Sequence, residues 1–196
     1  MNFLFHMMLS GDDEQLLVGN FMGDFVKGPL NGRFAPRIRH GVYLHRKIDS
    51  FADRHPLYRR SRYRLVPEYG LFRGIMLDLF YDHLLCNNWD VWCGKTLEDY
   101  LAGTRVIIER HCDSLPLEMR RMIPFIFSEF LPSYASLDGI GKSFTQLSRR
   151  ISRPNPLRGA ESELMRNYDE LAGDFKLLTP ELFRYADDIA SGPIYV

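Results

Sequence analysis

At 196 residues, with 45% hydrophobic and 13% aromatic content, the chain suits one domain and carries enough apolar material for a core, which excludes wholesale disorder. Its 25 Lys and Arg balance 25 Asp and Glu, so the strong basic field of a general nucleic-acid binder is excluded. The first eleven residues lack a signal-peptide pattern, no apolar run reaches roughly eighteen residues, and three cysteines without a C-x-x-C pair predict no disulfide framework, so a soluble cytoplasmic protein with no membrane partner is expected.

The apolar spacing is helical almost throughout. In Asp13–Lys27, Leu17, Phe21 and Phe25 repeat every four residues, as do Val18, Met22 and Val26. Asp12, Asp13 and Glu14 suit a helix N-terminus, and Gly28-Pro29 stops the pattern. A second helix is predicted from Pro36 to Ala52, and Pro56 opens a short basic one. Gly70–Cys86 is apolar on nearly every side and reads as a largely buried helix. Further helices are expected at Thr96–His111, Leu117–Phe130, Leu137–Ile151, Leu157–Asn167 and Tyr168–Ala190. There is no internal repeat. The loop-rich stretches Gly28–Gly32 and Ser152–Asn155 are too short for domain linkers. The expectation is an all-α, single-domain helical bundle over residues 1–196.

Polar residues set into apolar faces need an explanation, because a buried carboxylate is costly unless paired or metal-bound. Asn20 and Asp24 lie four apart on the first long helix, with Gly19 and Gly23 alongside. Glycine there admits another helix or a ligand close to Asp24. His45, Asp49 and Asp53 follow at four-residue steps on the second helix. Asp78 and Asp82, with His83 next, share a face with Leu71, Ile75, Leu85 and Trp89. Like charges one turn apart repel, and a divalent cation resolves both that repulsion and the burial. His6 sits in an apolar opening. Solvated faces and a satisfied core histidine are the structural alternatives for these positions. If a bundle converges His6, Asp24, His45, Asp49, Asp78 and Asp82, the carboxylate-rich donor set without cysteine fits Mn²⁺ or Mg²⁺ best, with Fe²⁺ or Zn²⁺ as alternatives. None of the short metal or nucleotide signatures is present.

Charge is uneven despite the zero total. Residues 1–65 hold eleven Lys and Arg against six Asp and Glu. Arg54, Arg59, Arg60, Arg62 and Arg64 form the sharpest cluster, and Arg149, Arg150 and Arg153 another. Such clusters are either solvated helix faces or a dock that steers an acidic partner.

Four segments carry a resemblance: the opening Met1-Asn2-Phe3-Leu4-x-His6, the run Gly19–Gly28, the stretch Gly41–Asp49, and Leu77-Asp78-Leu79-Phe80-Tyr81-Asp82-His83-Leu84-Leu85. In order and interval they resemble the acyl-carrier-protein phosphodiesterases, and the likeness extends loosely to Leu147–Arg150 and Tyr168…Phe175. Two positions depart from that pattern: Met8, where a second histidine is common, and Ala52, where a threonine commonly precedes Asp53. The resemblance implies an all-helical fold related to HD-domain phosphohydrolases. It implies hydrolysis of the phosphodiester joining 4′-phosphopantetheine to a serine of holo-acyl carrier protein, with Mn²⁺ as metal.

Under that resemblance, Asp24 is a metal ligand or takes a proton from water, and His6, Asp49, Asp78 and Asp82 are metal ligands. His45 or His83 protonates the leaving serine oxygen. Asn20, Arg46 and Lys47 are substrate-binding candidates, with the two cations on the phosphate. Arg59, Arg60 and Arg62 would dock the acidic carrier protein. Hydrolysis of another small phosphoester or nucleotide, and non-catalytic binding of acyl carrier protein, are the alternatives.

Overall fold

The computed structural model describes residues 1–30 and 32–194. Among these it contains helices and turns and no strand. The helices are α1 (Phe3–Met8), α2 (Glu14–Phe21), α3 (Pro36–Arg54), α4 (Pro56–Arg64), α5 (Phe72–Asn87), α6 (Trp89–Trp92), α7 (Leu97–Arg110), α8 (Leu117–Phe125), α9 (Leu131–Ser133), α10 (Leu137–Arg150), α11 (Glu161–Arg166) and α12 (Tyr168–Ser191). The all-α expectation holds. No helix among the described residues is long and apolar enough to cross a membrane.

Helices α2 and α3 cross in backbone contact. A Cβ on Gly19 would stand 2.0 Å from the Ile38 carbonyl oxygen, and one on Gly41 would stand 2.4 Å from that of Leu16. Gly19 thus admits a neighbouring helix, the first of the two roles its position suggested. Helix α2 starts where expected, with the Asp13 carboxylate accepting from the Leu16 N–H at 2.9 Å. It ends six residues early. After Phe21 the chain tightens into a 3₁₀ turn, Gly23–Phe25. In a continuing helix the Asn20 carbonyl would accept from residue 24. Here it accepts from His45 instead.

Helix α4 is tied to α12 through Asp174. This buried carboxylate accepts from Arg60, from Ser61 at 2.8 Å and from Arg64 at 3.2 Å. Helix α5 is the central, mostly buried rod the sequence predicts, starting two residues late because Gly70 takes a positive φ of 51°. The expected helix 117–130 continues as a π turn, Ile126–Phe130, after Pro124, which has no N–H to give the ladder. The expected helix 157–167 shrinks to α11, because Gly159 turns at a φ of 79°. The short helices α1 and α6 have no apolar stripe to announce them; α1 is buried all round.

The core is one continuous apolar cluster drawn from nearly every helix. Phe5, Tyr81 and Phe175 meet at its centre, with ring centroids 5.9 and 5.5 Å apart. This packing carries α1, and with it His6, onto α3 and α5.

Candidate active site

Helix α1 is too short to be stable alone. It is anchored by Asp82 of α5, whose two carboxylate oxygens accept from the N–H groups of Leu4 and Phe5 at 3.0 and 3.1 Å. Those are orphan donors of the first turn, and a carboxylate there also opposes the positive end of the helix. Anchored this way, α1 presents His6 to α3. The His6 and His45 rings stack with centroids 3.8 Å apart and planes 18° from parallel.

His45 is fixed from behind. Its Nδ1–H donates to the Asn20 carbonyl at 2.8 Å, which turns Nε2 toward two carboxylate oxygens, Asp49 Oδ2 at 3.3 Å and Asp24 Oδ1 at 3.5 Å. Asp49, one turn along α3, holds His6 Nε2 at 3.1 Å through its other oxygen. The ammonium of Met1 lies 3.2 Å from Asp49 Oδ1 and 2.9 Å from Asp78 Oδ1. Asp78 also accepts from the Tyr58 hydroxyl. His6, His45 and Asp49 each offer a ligand atom, all within 4.8 Å of one another.

Electrostatics divides the two histidines. Burial, aided by His45 and the Met1 ammonium, lowers the His6 pKa to about 4 against the pull of Asp49. Burial acts the same way on His45, but Asp24 and Asp49 outweigh it and raise its pKa to about 9. Burial alone would raise Asp49; the ammonium, His45 and His6 hold it far below the usual carboxylate range. Asp24 follows the same balance, with His45 lowering it. Burial lowers the Met1 amine, yet Asp78 and Asp49 lift it to about 11.

These donors fit a divalent cation. His45 has one nitrogen committed to a carbonyl and the other aimed at the cluster, the usual arrangement of a metal-binding imidazole. His6 is already neutral, as a ligand must be, and its buried Nδ1 has no hydrogen-bond partner among the described residues. Two imidazoles with a carboxylate suit Mn²⁺, Fe²⁺ or Zn²⁺ better than Mg²⁺. Of the cluster, Asp49 lines a cavity of about 600 Å³, together with Asp24, Asp53 and Asp78, apolar residues including Phe3, Phe25, Leu79 and Phe130, and Arg62 and Arg150; His6 and His45 lie behind that lining.

Of the residues singled out in the sequence, His6, Asp24, His45 and Asp49 converge, and Asp78 adjoins them through the Met1 ammonium. Asp24 does so from the 3₁₀ turn, its side chain 57% exposed. Seven other assigned residues lie elsewhere or are committed to other partners. Asp82 faces the amides of Leu4 and Phe5, so both its oxygens are used up in anchoring α1. His83 donates through Nδ1–H to the Tyr134 carbonyl at 2.7 Å, on another side of α5. Asn20 is fully buried, its amide donates to the His6 carbonyl and to Ser10, and it does not line the cavity, so it braces the site. Arg46 clasps the carbonyls of Val26 and Gly28, both at 2.9 Å, and holds the chain beyond the 3₁₀ turn. Lys47 lies over the Tyr43 ring, 5.0 Å from its centroid, outside the cavity lining. Arg60 is committed to Asp174, and Arg59 does not line the cavity; of that trio only Arg62 does. Tyr58, the Met1 amine and Arg150 join the cavity without having been singled out as site residues. Arg150 left a signal in its basic cluster; the other two left none.

Comparison with known proteins gives the family. The family model described as "Acyl carrier protein phosphodiesterase" matches residues 1–182. An acyl carrier protein phosphodiesterase of Yersinia pestis is 30% identical over 188 residues, covering 95% of this chain and 97% of the relative. One of Photorhabdus laumondii is 29% identical over 96% of each chain, and one of Escherichia coli O139:H28 is 28% identical over 95% and 97%. No solved structure matches. The match runs through α1, α3 and α5, the helices that bring His6, His45, Asp49 and Asp78 together, and on its near-complete span the chain belongs to the acyl carrier protein phosphodiesterase family.

Proposed function

We propose that the chain hydrolyses the phosphodiester between 4′-phosphopantetheine and the serine of holo-acyl carrier protein, using a divalent cation, with Mn²⁺ the first choice, held by His6, His45 and Asp49. The observation that carries this reading is the convergence of these three donors beside a cavity that Asp49 and Asp24 line, in a member of that family. The His-plus-Asp donor set also supports the kinship with HD-domain phosphohydrolases that the sequence suggests.

A phosphodiester resists attack because its anionic oxygens repel nucleophiles. A bound divalent ion supplies charge neutralisation and an acidified water. The protein's part is positional and acid–base. His45 is locked in one tautomer by Asn20. Asp49 bridges both imidazoles and keeps its charge. Asp24 stands 3.5 Å from His45 Nε2 and opens to the cavity, so it is placed to take the proton of the attacking water. Tyr58, bonded to Asp78, lines the same cavity.

The test is mass spectrometry of holo-acyl carrier protein after incubation with the metal-free protein and with Mn²⁺ added back. Loss of phosphopantetheine with Mn²⁺ and none without it is expected. An unchanged carrier mass under both conditions refutes the reading.

A further inference from the structure

The mouth of the cavity differs in chemistry from its head. Leu71, Ile75 and Leu79 recur every four residues along one side of α5, Leu71 being the helix cap with helical dihedrals. Their exposure falls from 84% to 37% to 3%, so an apolar track runs from open solvent into the cavity. A single exposed leucine is ordinary; a graded track that ends at a catalytic cluster is not explained by folding, which gains nothing from an exposed Leu71.

Cations frame this track. Arg62 of α4 and Arg150 at the end of α10 both line the cavity. Arg153 lies over the ring of Phe72, next to Leu71, 5.0 Å from its centroid. Asp53 pairs with Arg62 at 3.6 Å. Among the described residues, neither Arg150 nor Arg153 has a carboxylate at salt-bridge distance. The sequence holds these arginines in two separate clusters, and the fold sets one member of each across a single opening. Arg60 and Arg64, by contrast, are used up on Asp174.

We propose that this mouth, with Arg62, Arg150 and Arg153 around Leu71 and Ile75, docks an acidic protein segment that seats an apolar side chain on the track, and that this segment belongs to the carrier protein. The proposal rests on the reading of the substrate given above. Charge complementarity and continuity with the cavity select the occupant: the guanidiniums draw carboxylates, the leucine track takes an apolar tip, and the group to be cut then hangs toward Asp24 and His45. The attraction acts mainly at encounter and is screened beyond about 8–10 Å at physiological salt.

Apo-acyl carrier protein lacks the phosphopantetheine arm, so its binding reads docking alone. Its affinity is measured by fluorescence anisotropy at low and physiological salt. The double reversal Arg62→Glu/Arg150→Glu is expected to raise Kd about tenfold or more at low salt and to flatten the salt dependence, while Arg62→Lys/Arg150→Lys keeps most of the affinity. Leu71 is exposed, so Leu71→Asn leaves the core intact; it adds no charge, and it is expected to raise Kd about tenfold with the salt dependence unchanged. Arg105→Glu, on α7 at a different cavity, is the control and stays within about twofold of wild type. Wild-type affinity in the double reversal at low salt, or no measurable binding by the wild type, overturns the dock. If holo-carrier protein keeps its arm while the rim variants still weaken binding, the dock stands and the reading of the reaction falls. If holo-carrier protein is cleaved but the rim variants bind normally, the reverse holds.

Discussion

The imidazole of His45 occupies the space that a side chain on residue 23 would fill. A Cβ built on Gly23 lies 2.1 Å from Cγ of His45, and 2.5 Å from both Cδ2 and Nδ1. The missing side chain of one residue is thus the seat of another. Gly23→Ala must push the ring off the Asn20 carbonyl, and with it move Nε2 away from Asp24 and Asp49. Since a misplacement of about 1 Å costs on the order of a hundredfold in rate, kcat/KM on holo-acyl carrier protein is expected to fall by at least that factor. Stability should fall by about 1–3 kcal/mol, the usual cost of overpacking. Steady-state kinetics and urea unfolding check both; wild-type kcat/KM would show that the ring's seat does not matter.

Asp24 should separate activity from stability. Its side chain is largely open and packs little. Asp24→Ala is therefore expected to lower kcat by about two to four orders of magnitude, as loss of a general base does, while the unfolding free energy stays within about 1 kcal/mol of wild type. Full turnover in the folded variant would remove Asp24 from the reaction.

Metal uptake should release protons. His45, with its pKa raised to about 9, is cationic at neutral pH without metal and must lose that proton to become a ligand. Mn²⁺ affinity is expected to climb as pH rises from 7 and to level off above about 9. Titration calorimetry in buffers of different ionisation enthalpy would count the proton released. The same shift makes a second prediction for the metal-free protein. A histidine whose pKa is raised in the folded state contributes stability in full below its ordinary 6.5, and loses it as pH rises through about 9. Bound metal should remove that loss.

Asp82 gives a slope of the same sign in a lower pH window. Burial raises its pKa to about 7, against the pull of the Leu4 and Phe5 amides. Between the ordinary 3.8 and about 7 the folded protein holds the extra proton, so stability contributed by this group falls as pH rises through that window. Asp82→Asn is expected to flatten the slope. Asp82→Ala, which leaves two N–H groups buried without acceptors, should cost about 2–4 kcal/mol at any pH. Urea unfolding at pH 5 and pH 7.5 measures both, and parallel slopes in wild type and Asp82→Asn would refute the assignment.

Long amphipathic or buried helices were readable from spacing, because α3, α5 and α12 carry their partners' imprint in their own apolar residues. Four-residue spacing predicts one helical face for Asn20 and Asp24, and the fold separates them. The helix breaks at Phe21 for the sake of His45, a partner twenty-five positions away that local periodicity does not contain. Asp78 and Asp82 do sit one turn apart, as read, but their charges are met separately. Main-chain amides of α1 meet Asp82, and Tyr58 with the Met1 ammonium meets Asp78. Neither set of partners leaves a mark near residue 80. His6 was legible only as one of several polar residues needing a common destination.

The contact of Gly19 with α3 has a consequence for how far the site must move to work. Most helix pairs are separated by a layer of side chains, and such layers relax by changing rotamers. Where two main chains touch, that freedom is absent. Asn20 follows Gly19 directly, and His45 lies one turn beyond Gly41, so the hydrogen bond between them spans a gap whose width is set by bare backbone. The glycine pair acts as a gauge block. It fixes the imidazole's distance and tilt before any ligand arrives, and leaves little reorganisation for the reaction itself to carry out.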